Sequence, residues 1–166
     1  MKLKVESLKN GDILHCYSTG FLPRMIRWFT GSRVNHTALV IELFDKLYVV
    51  DSQADGTNLR TVEGWDKKYG YNYLIHRTPL FTEEQREKAL SVIGTTPYDF
   101  KSLLWYQPVY ILTGRWRGRR GTDAEKRMYC SEYVAWVFDL PNWWKASPEA
   151  VKQYMSDSVH FKKVKL

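Results

Sequence analysis

Apolar and polar positions along this chain divide it into a strand-rich first half and a helical second half. Asn10-Gly11-Asp12 is a turn, and Ile13 to Tyr17 reads as a strand. Leu22 to Thr30 predicts a short amphipathic helix with Pro23 in its first turn and Gly31 at its end. Two apolar, β-branched runs, Thr37 to Leu43 and Leu47 to Asp51, are joined by Phe44-Asp45-Lys46 and predict a hairpin. Asp55-Gly56 marks the next turn, and Leu59 to Val62 and Tyr71 to His76 predict two further strands. Thr82 with Gln85 fits a capping box, with Glu83 and Glu84 in the first turn of a helix to about Ile93. Pro97-Tyr98-Asp99-Phe100 begins a helical stretch through Leu104, extended to Leu112 if Pro108 acts as a kink. Gly114 to Glu125 is a basic loop, and a helix runs from Cys130 to about Phe138. Ser147-Pro148-Glu149 caps a last short helix, and Val159 to Val164 reads as a final strand.

Local hairpins followed by helices predict an α+β fold with a mainly antiparallel sheet. No repeat or long linker divides the chain, so residues 1–166 are expected to form a single domain. At 166 residues it is long enough for a substantial core, and 44% hydrophobic with 26% charged residues is an ordinary globular composition. Aromatic residues reach 15%, which suits either a broad apolar groove or an aromatic core. The formal net charge of +7 favours anionic partners. That charge is concentrated: Arg115, Arg117, Arg119, Arg120, Lys126 and Arg127 crowd one segment, while Lys162, Lys163 and Lys165 form a charged tail. Two cysteines do not make a disulfide framework. The N-terminus lacks a signal-peptide pattern, and no window reaches the ~18 apolar residues of a membrane span. The default expectation is cytoplasmic, with release by lysis or another route left open.

The chemistry centres on Cys130 and His36. A thiol in the first turn of a helix meets the positive end of the macrodipole and unpaired backbone N–H groups, which favour the nucleophilic thiolate. His36 opens a strand, where it can face a helix start and move a proton. The bland alternatives are a small buried cysteine and a hydrogen-bonded histidine. Pairing of the two hairpin strands places Asp51 at the same end of the sheet as His36, able to accept the second imidazole N–H. Glu42 lies toward the far end of the strand, and the loop after the hairpin leaves Ser52 or Gln53 as alternatives. His15 and Cys16 beside Asp12 hint at a metal, but adjacent strand residues point to opposite faces. No metal or cofactor is expected, and no Gly-rich phosphate loop is present.

Gly-Asp-Ile-Leu near the start, Asn-His-Thr-Ala-Leu-Val-Ile, Val-Val-Asp-Ser, Pro-Tyr-Asp-Phe and Tyr-Cys-Ser-Glu-Tyr-Val appear in this order from about Gly11 to Phe138. In this set the chain resembles the circularly permuted branch of the NlpC-type papain-like cysteine peptidases, nearest the YiiX-like proteins, with the lecithin retinol acyltransferase-like enzymes as relatives. The resemblance implies a permuted papain-like fold in which the histidine precedes the cysteine. It implies Cys130 as nucleophile, His36 as base and Asp51 as the third polar residue, where the YiiX-like group more usually carries Glu. It also implies that Tyr98 flanks the site and helps bind the oxyanion, with Tyr129 as rival.

Three functions follow as expectations. The first is a thiol hydrolase cleaving an amide or peptide bond through an acyl-enzyme, in a cell-wall-type or other small peptide. The second is a lipid-directed acyl hydrolase or acyltransferase, with the basic segment docking anionic headgroups. The third is a basic binding module in which Trp116 stacks on nucleic acid. The preferred partner is a small peptide or acyl substrate with an apolar portion, the pairs Trp28-Phe29, Trp105-Tyr106 and Trp143-Trp144 lining its pocket. An anionic surface is expected to meet Arg115, Arg117, Arg119 and Arg120, and no specific nucleic acid is expected.

Overall fold

The two central strands are buried on both faces, which is why their sequences run apolar without strict alternation. The structure, a computed structural model, describes residues 5–17, 21–30, 34–69 and 72–164. In chain order the elements are β1 (Ile13–Cys16), α1 (Phe21–Thr30), β2 (His36–Leu43), β3 (Lys46–Gln53), β4 (Gly56–Thr61), α2 (Val62–Tyr69), β5 (Tyr73–Arg77) and α3 (Glu83–Ser91). A π-helical turn (Ser102–Tyr106), α4 (Gln107–Thr113), a 3-10 turn (Gly121–Lys126), α5 (Cys130–Val137), α6 (Pro148–Asp157) and β6 (Lys162–Lys163) follow. The strands form one antiparallel sheet in the order β4-β3-β2-β1-β5-β6.

Period-2 side-chain alternation splits the core into two layers. Ile13, Leu39, Ile41 and Val50 face α5, with Ala89 of α3 and Val151 and Met155 of α6 packed around it. Leu14, Cys16, Ala38, Val40 and Val49 face the other way, beneath Val62, Trp65 and Tyr69 of α2. Helix α5 is buried along its whole length. The fold is thus α+β, with a mainly antiparallel sheet packed against the helix that carries the cysteine, as expected. Among the described residues, no helix is long and apolar enough to cross a membrane.

Several local readings differ from the sequence-based ones. The hairpin turn is two residues long: Phe44 and Asp45 both adopt positive φ (52° and 58°), the twist that suits antiparallel strands. Helix α2 was not expected. Gly64 obscured its pattern, yet the Thr61 hydroxyl accepts the Gly64 N–H at 3.2 Å, and Val62, Trp65 and Tyr69 recur at helical spacing. Pro108 causes no break: it has no N–H to give Leu104, and a π-helical turn precedes α4. The expected strand Val159–Val164 shrinks to β6, with Val159 exposed. Gly31 and Tyr71 lie outside the described residues.

One layer carries two buried imidazoles with unpartnered nitrogens among the described residues. His15 and His76 meet edge to face with ring centroids 5.0 Å apart. Among the described residues, both His15 nitrogens, His76 Nδ1 and the hydroxyl of Thr37, which stands opposite His15, lack hydrogen bonds, while His76 Nε2 meets Ser156 Oγ at 3.3 Å. Burial, then charge from His76 and Lys152, holds His15 well below the usual imidazole range; burial, then Lys163 and Lys152, lowers His76 to about 4. Both groups resist protonation in the folded state. Their stabilising contribution is therefore complete above the unfolded value of about 6.5 and is lost as pH falls below it, by about 1.4 kcal/mol per pH unit for a fully shifted histidine. Replacing His15 by Leu should leave stability at pH 7 unchanged or higher and should flatten the loss between pH 6.5 and 4. Urea unfolding of both proteins across that window measures the difference.

Candidate active site

Three chain segments meet at one end of the sheet, and backbone bonds fasten them together. The Met128 N–H donates to the Pro97 carbonyl at 3.2 Å, and the Ser52 hydroxyl donates to the Met128 carbonyl at 2.6 Å. Asp51, Tyr98 and Cys130 are thereby held as neighbours of a single residue, Met128. Tyr98, Leu103, Tyr129 and Cys130 form one buried cluster. His36 is the first residue of β2, so it sits at the strand end that the start of α5 approaches.

His36 joins the other two groups. Its Nε2 lies 2.8 Å from Asp51 Oδ2, and its ring also hydrogen-bonds the Cys130 side chain. Nδ1 is the nitrogen left for the thiol. The imidazole stacks on the Tyr69 ring with centroids 5.2 Å apart and planes within 4°. Burial works against the imidazolium, but the charge of Cys130 and the hydrogen bonds to Asp51 and Cys130 overcome it and raise His36 to about 10.

Asp51 is fully buried and satisfied by four donors. Besides His36, Gln53 Nε2 (2.6 Å) and Trp65 Nε1 (2.9 Å) donate to Oδ2, and Arg60 Nε donates to Oδ1 at 2.8 Å. Burial alone would raise this carboxyl. His36 first, then Arg60 and Gln53, holds it well below the usual carboxylate range. Arg60 also pairs with Asp55, and Lys68 donates to Gln53 Oε1, so the donors are themselves held.

The expected residues His36, Asp51 and Cys130 are thus brought together, with Tyr98 against the cysteine. Ser52 and Gln53, the alternatives to Asp51, take other parts: one fastens Met128, the other donates to Asp51. Tyr129 is fully buried, and its hydroxyl accepts from Gln107 Nε2 at 2.6 Å, a packing arrangement. Its backbone N–H donates to Glu132 Oε2, a buried carboxyl that burial raises well above its ordinary value. Sequence reasoning missed Arg60, Trp65 and Tyr69, and it named Gln53 as a rival to Asp51 where the structure makes it a donor to Asp51. Arg60 was legible in principle, because Asn58 pairs with Asp51 and Arg60 lies two residues further along the same face. Cys16 is also close: it pairs in register with His36 across β1 and β2.

Cys130 has no solvent-exposed surface in this conformation, so a substrate carbonyl reaches it only after neighbouring groups shift. A cavity of about 320 Å³ opens beside Tyr98, between the β3–β4 turn (54–57) and residues 94–97. The aromatic pairs do not line one pocket: Trp143 is core, whereas Trp28 and Trp105 are exposed at 77% and 64%. Trp116, expected to stack on nucleic acid, is buried, with its indole N–H donating to the Arg119 carbonyl at 2.8 Å. Among the described residues, no group of three His, Cys, Asp or Glu stands ready to hold a metal ion.

The Asp51 hydrogen bond accounts for part of the His36 shift, so Asp51→Asn should lower the His36 titration from about 10 toward the ordinary range near 6.5. Following the ring-proton NMR signals of His36 against pH in both proteins tests this.

No family model matches the sequence. No curated protein matches it significantly either. Among solved structures, the chain is similar to the metalloprotein YiiX of Escherichia coli O157:H7, DUF1105, with 21% identity, 95% of this chain and 96% of that one covered, and a TM-score of 0.62. The chain therefore has a YiiX-like fold.

Proposed function

We propose that the protein is a cysteine hydrolase of the permuted papain-like type, cleaving an amide or peptide bond through a Cys130 acyl-enzyme. The observation that carries this reading is His36, bonded on one side to Cys130 and on the other to a buried, ionised Asp51. A nucleophile, a proton carrier and a group that orients the carrier are the parts such chemistry requires. With His36 raised to about 10, the proton rests on the imidazole at neutral pH; the form of the Cys130 sulfur that attacks in this scheme is the thiolate, the nucleophilic form of any cysteine. Sulfur attacks the carbonyl carbon, His36 gives its proton to the leaving amine, and the neutral imidazole then takes a proton from the water that hydrolyses the thioester. In this reading the oxyanion is received by the Cys130 N–H, which has no intrahelical acceptor at the start of α5, and by Tyr98, which shares a buried cluster with Cys130. The substrate class proposed is a small peptide, including those of cell-wall type, for which the cavity beside Tyr98 offers polar contacts from Asp55, Thr57, Thr95 and Thr96 beside apolar ones from Ala54 and Pro97.

A second reading, an acyl hydrolase or acyltransferase working at a lipid surface, draws on the exposed Trp28 of α1, Trp105 and Leu112 (83%), since α1 and α4 pack side by side. Turnover of acyl esters in preference to peptides would favour it.

Iodoacetamide labelling read by peptide mass spectrometry tests the common core of both readings. Cys16 and Cys130 are equally buried, so burial alone predicts equal, slow labelling. The proposal predicts that Cys130 labels faster than Cys16 below pH 8 and slows in His36→Ala. It also predicts that Cys130→Ser keeps the fold and loses turnover by about 10³-fold or more. An inert Cys130 together with unchanged turnover in the serine variant would refute it.

A further inference from the structure

A second cavity, of about 530 Å³, lies away from the cysteine and shares no lining residue with the Cys130 cluster. Arg115, Arg117, Arg120 and Lys145 line it, and no carboxylate does. Among the described residues none of these four cations is ion-paired, while Arg119 and Lys126 of the same stretch of chain are. Arg119 reaches Asp99 at 3.1 Å and Asp123 at 3.9 Å, and Lys126 reaches Asp123 at 2.9 Å. Four unpaired cations converging on one hollow repel each other, so the arrangement is stabilised by an anion.

The hollow is built rather than left by a slack loop. Gly114 ends α4 in the left-handed conformation (φ +67°), its N–H donating to the Tyr110 carbonyl at 2.8 Å. The chain then folds over Trp116 so closely that a Cβ on Gly118 would stand 2.6 Å from that indole and 2.9 Å from the Tyr106 ring. Arg120 Nη2 donates to the Trp116 carbonyl at 3.2 Å. On the opposite wall, Lys145 Nζ lies 3.1 Å from Tyr110 Oη and 4.7 Å from the centre of its ring, and the Lys145 carbonyl accepts from Gln107 Nε2 at 2.7 Å. Trp144 completes the aromatic wall.

We propose that this cavity binds a phosphate group. Guanidinium forks match the oxygens of phosphate in pairs, and three arginines with a lysine suit a multiply charged, many-oxygen anion better than a lone carboxylate. The volume exceeds that of phosphate alone, leaving room along the aromatic wall for the moiety that carries it. That phosphate is either soluble or a lipid headgroup; Ile111 and Leu112, exposed at 47% and 83% on α4, give the second source an apolar contact. The inference does not depend on the hydrolase reading, because its readout is binding.

Calorimetric titration with inorganic pyrophosphate, and co-sedimentation with phosphatidylglycerol against phosphatidylcholine vesicles, provide the two arms. Each is run on the wild type, on R115Q/R117Q, and on K162Q/K163Q, which removes the same charge elsewhere on the surface. Saturable pyrophosphate binding, weakened about tenfold or more in the arginine variant and unchanged in the lysine variant, establishes the site for a soluble phosphate. The same pattern with phosphatidylglycerol alone establishes it for a headgroup. Binding in neither arm, or equal loss in both variants, overturns the proposal.

Discussion

A carboxylate with no access to water organises this end of the molecule. An ion buried without partners costs several kcal/mol, so Asp51 is tolerable only where donors surround it. Its four donors come from β2, β3, β4 and α2, and the charge therefore holds the sheet edge and the helix above it in one arrangement. Removing one of these partners leaves part of a buried charge unpaired, a loss of about 3–5 kcal/mol in comparable buried pairs. The same requirement gives His36 its character. An imidazole between a fixed carboxylate and a thiol stays protonated although burial opposes it.

The cysteine reaches that histidine because of how α5 begins. The helix is buried throughout, so its position is set by packing against Leu39, Ile41 and Val50, and its first turn projects to the sheet end where β2 opens. Polar groups on so buried a helix need internal solutions. Glu132 takes the Tyr129 N–H, and burial raises its carboxyl well above the ordinary value; Ser131 donates to the Ala146 carbonyl at 2.7 Å. The Met128 bonds to Pro97 and Ser52 then fix the residues just ahead of the cysteine. Precision at the site comes from this scaffold of backbone bonds and a packed helix, with little left to loops.

Much of this was legible in the sequence because its signals are local. Apolar runs around a tight turn specify the β2–β3 hairpin, Thr82 and Gln85 form the capping box, and Ser147 caps α6 through the Ala150 N–H at 3.1 Å. The pairing of Asp51 with His36 follows from hairpin register, which is also local. What was illegible depends on chain segments meeting from a distance. The donors Arg60 and Trp65 require β4 to pair with β3 and α2 to fold back across the sheet. Helix α2 itself shows no apolar run, only three buried apolar positions, Val62, Trp65 and Tyr69, spaced around a glycine. The aromatic pairs failed as a guide for the same reason: which surface an aromatic meets depends on distant segments, so Trp143 is buried in the core with Trp144 partly buried against it, while Trp28 and Trp105 are exposed.

The basic segment shows why formal charge is a poor measure of available charge. Arg115, Arg117, Arg119 and Arg120 are indistinguishable in composition and nearly so in spacing. Yet Arg119 turns inward to Asp99, whose oxygens also accept the Ser102 N–H and hydroxyl at 2.9 and 2.8 Å and so start the π-helical turn. Arg119 is consequently a structural residue that ties the loop to the segment following Tyr98. The ring of Trp116, with an exposed-looking Arg on each side in sequence, is what directs the others outward: it fills the centre of the loop and leaves Arg115, Arg117 and Arg120 only the perimeter. The four similar cations thus divide into one that holds the fold through a carboxylate and three that line the hollow without one, Arg120 donating to the Trp116 carbonyl.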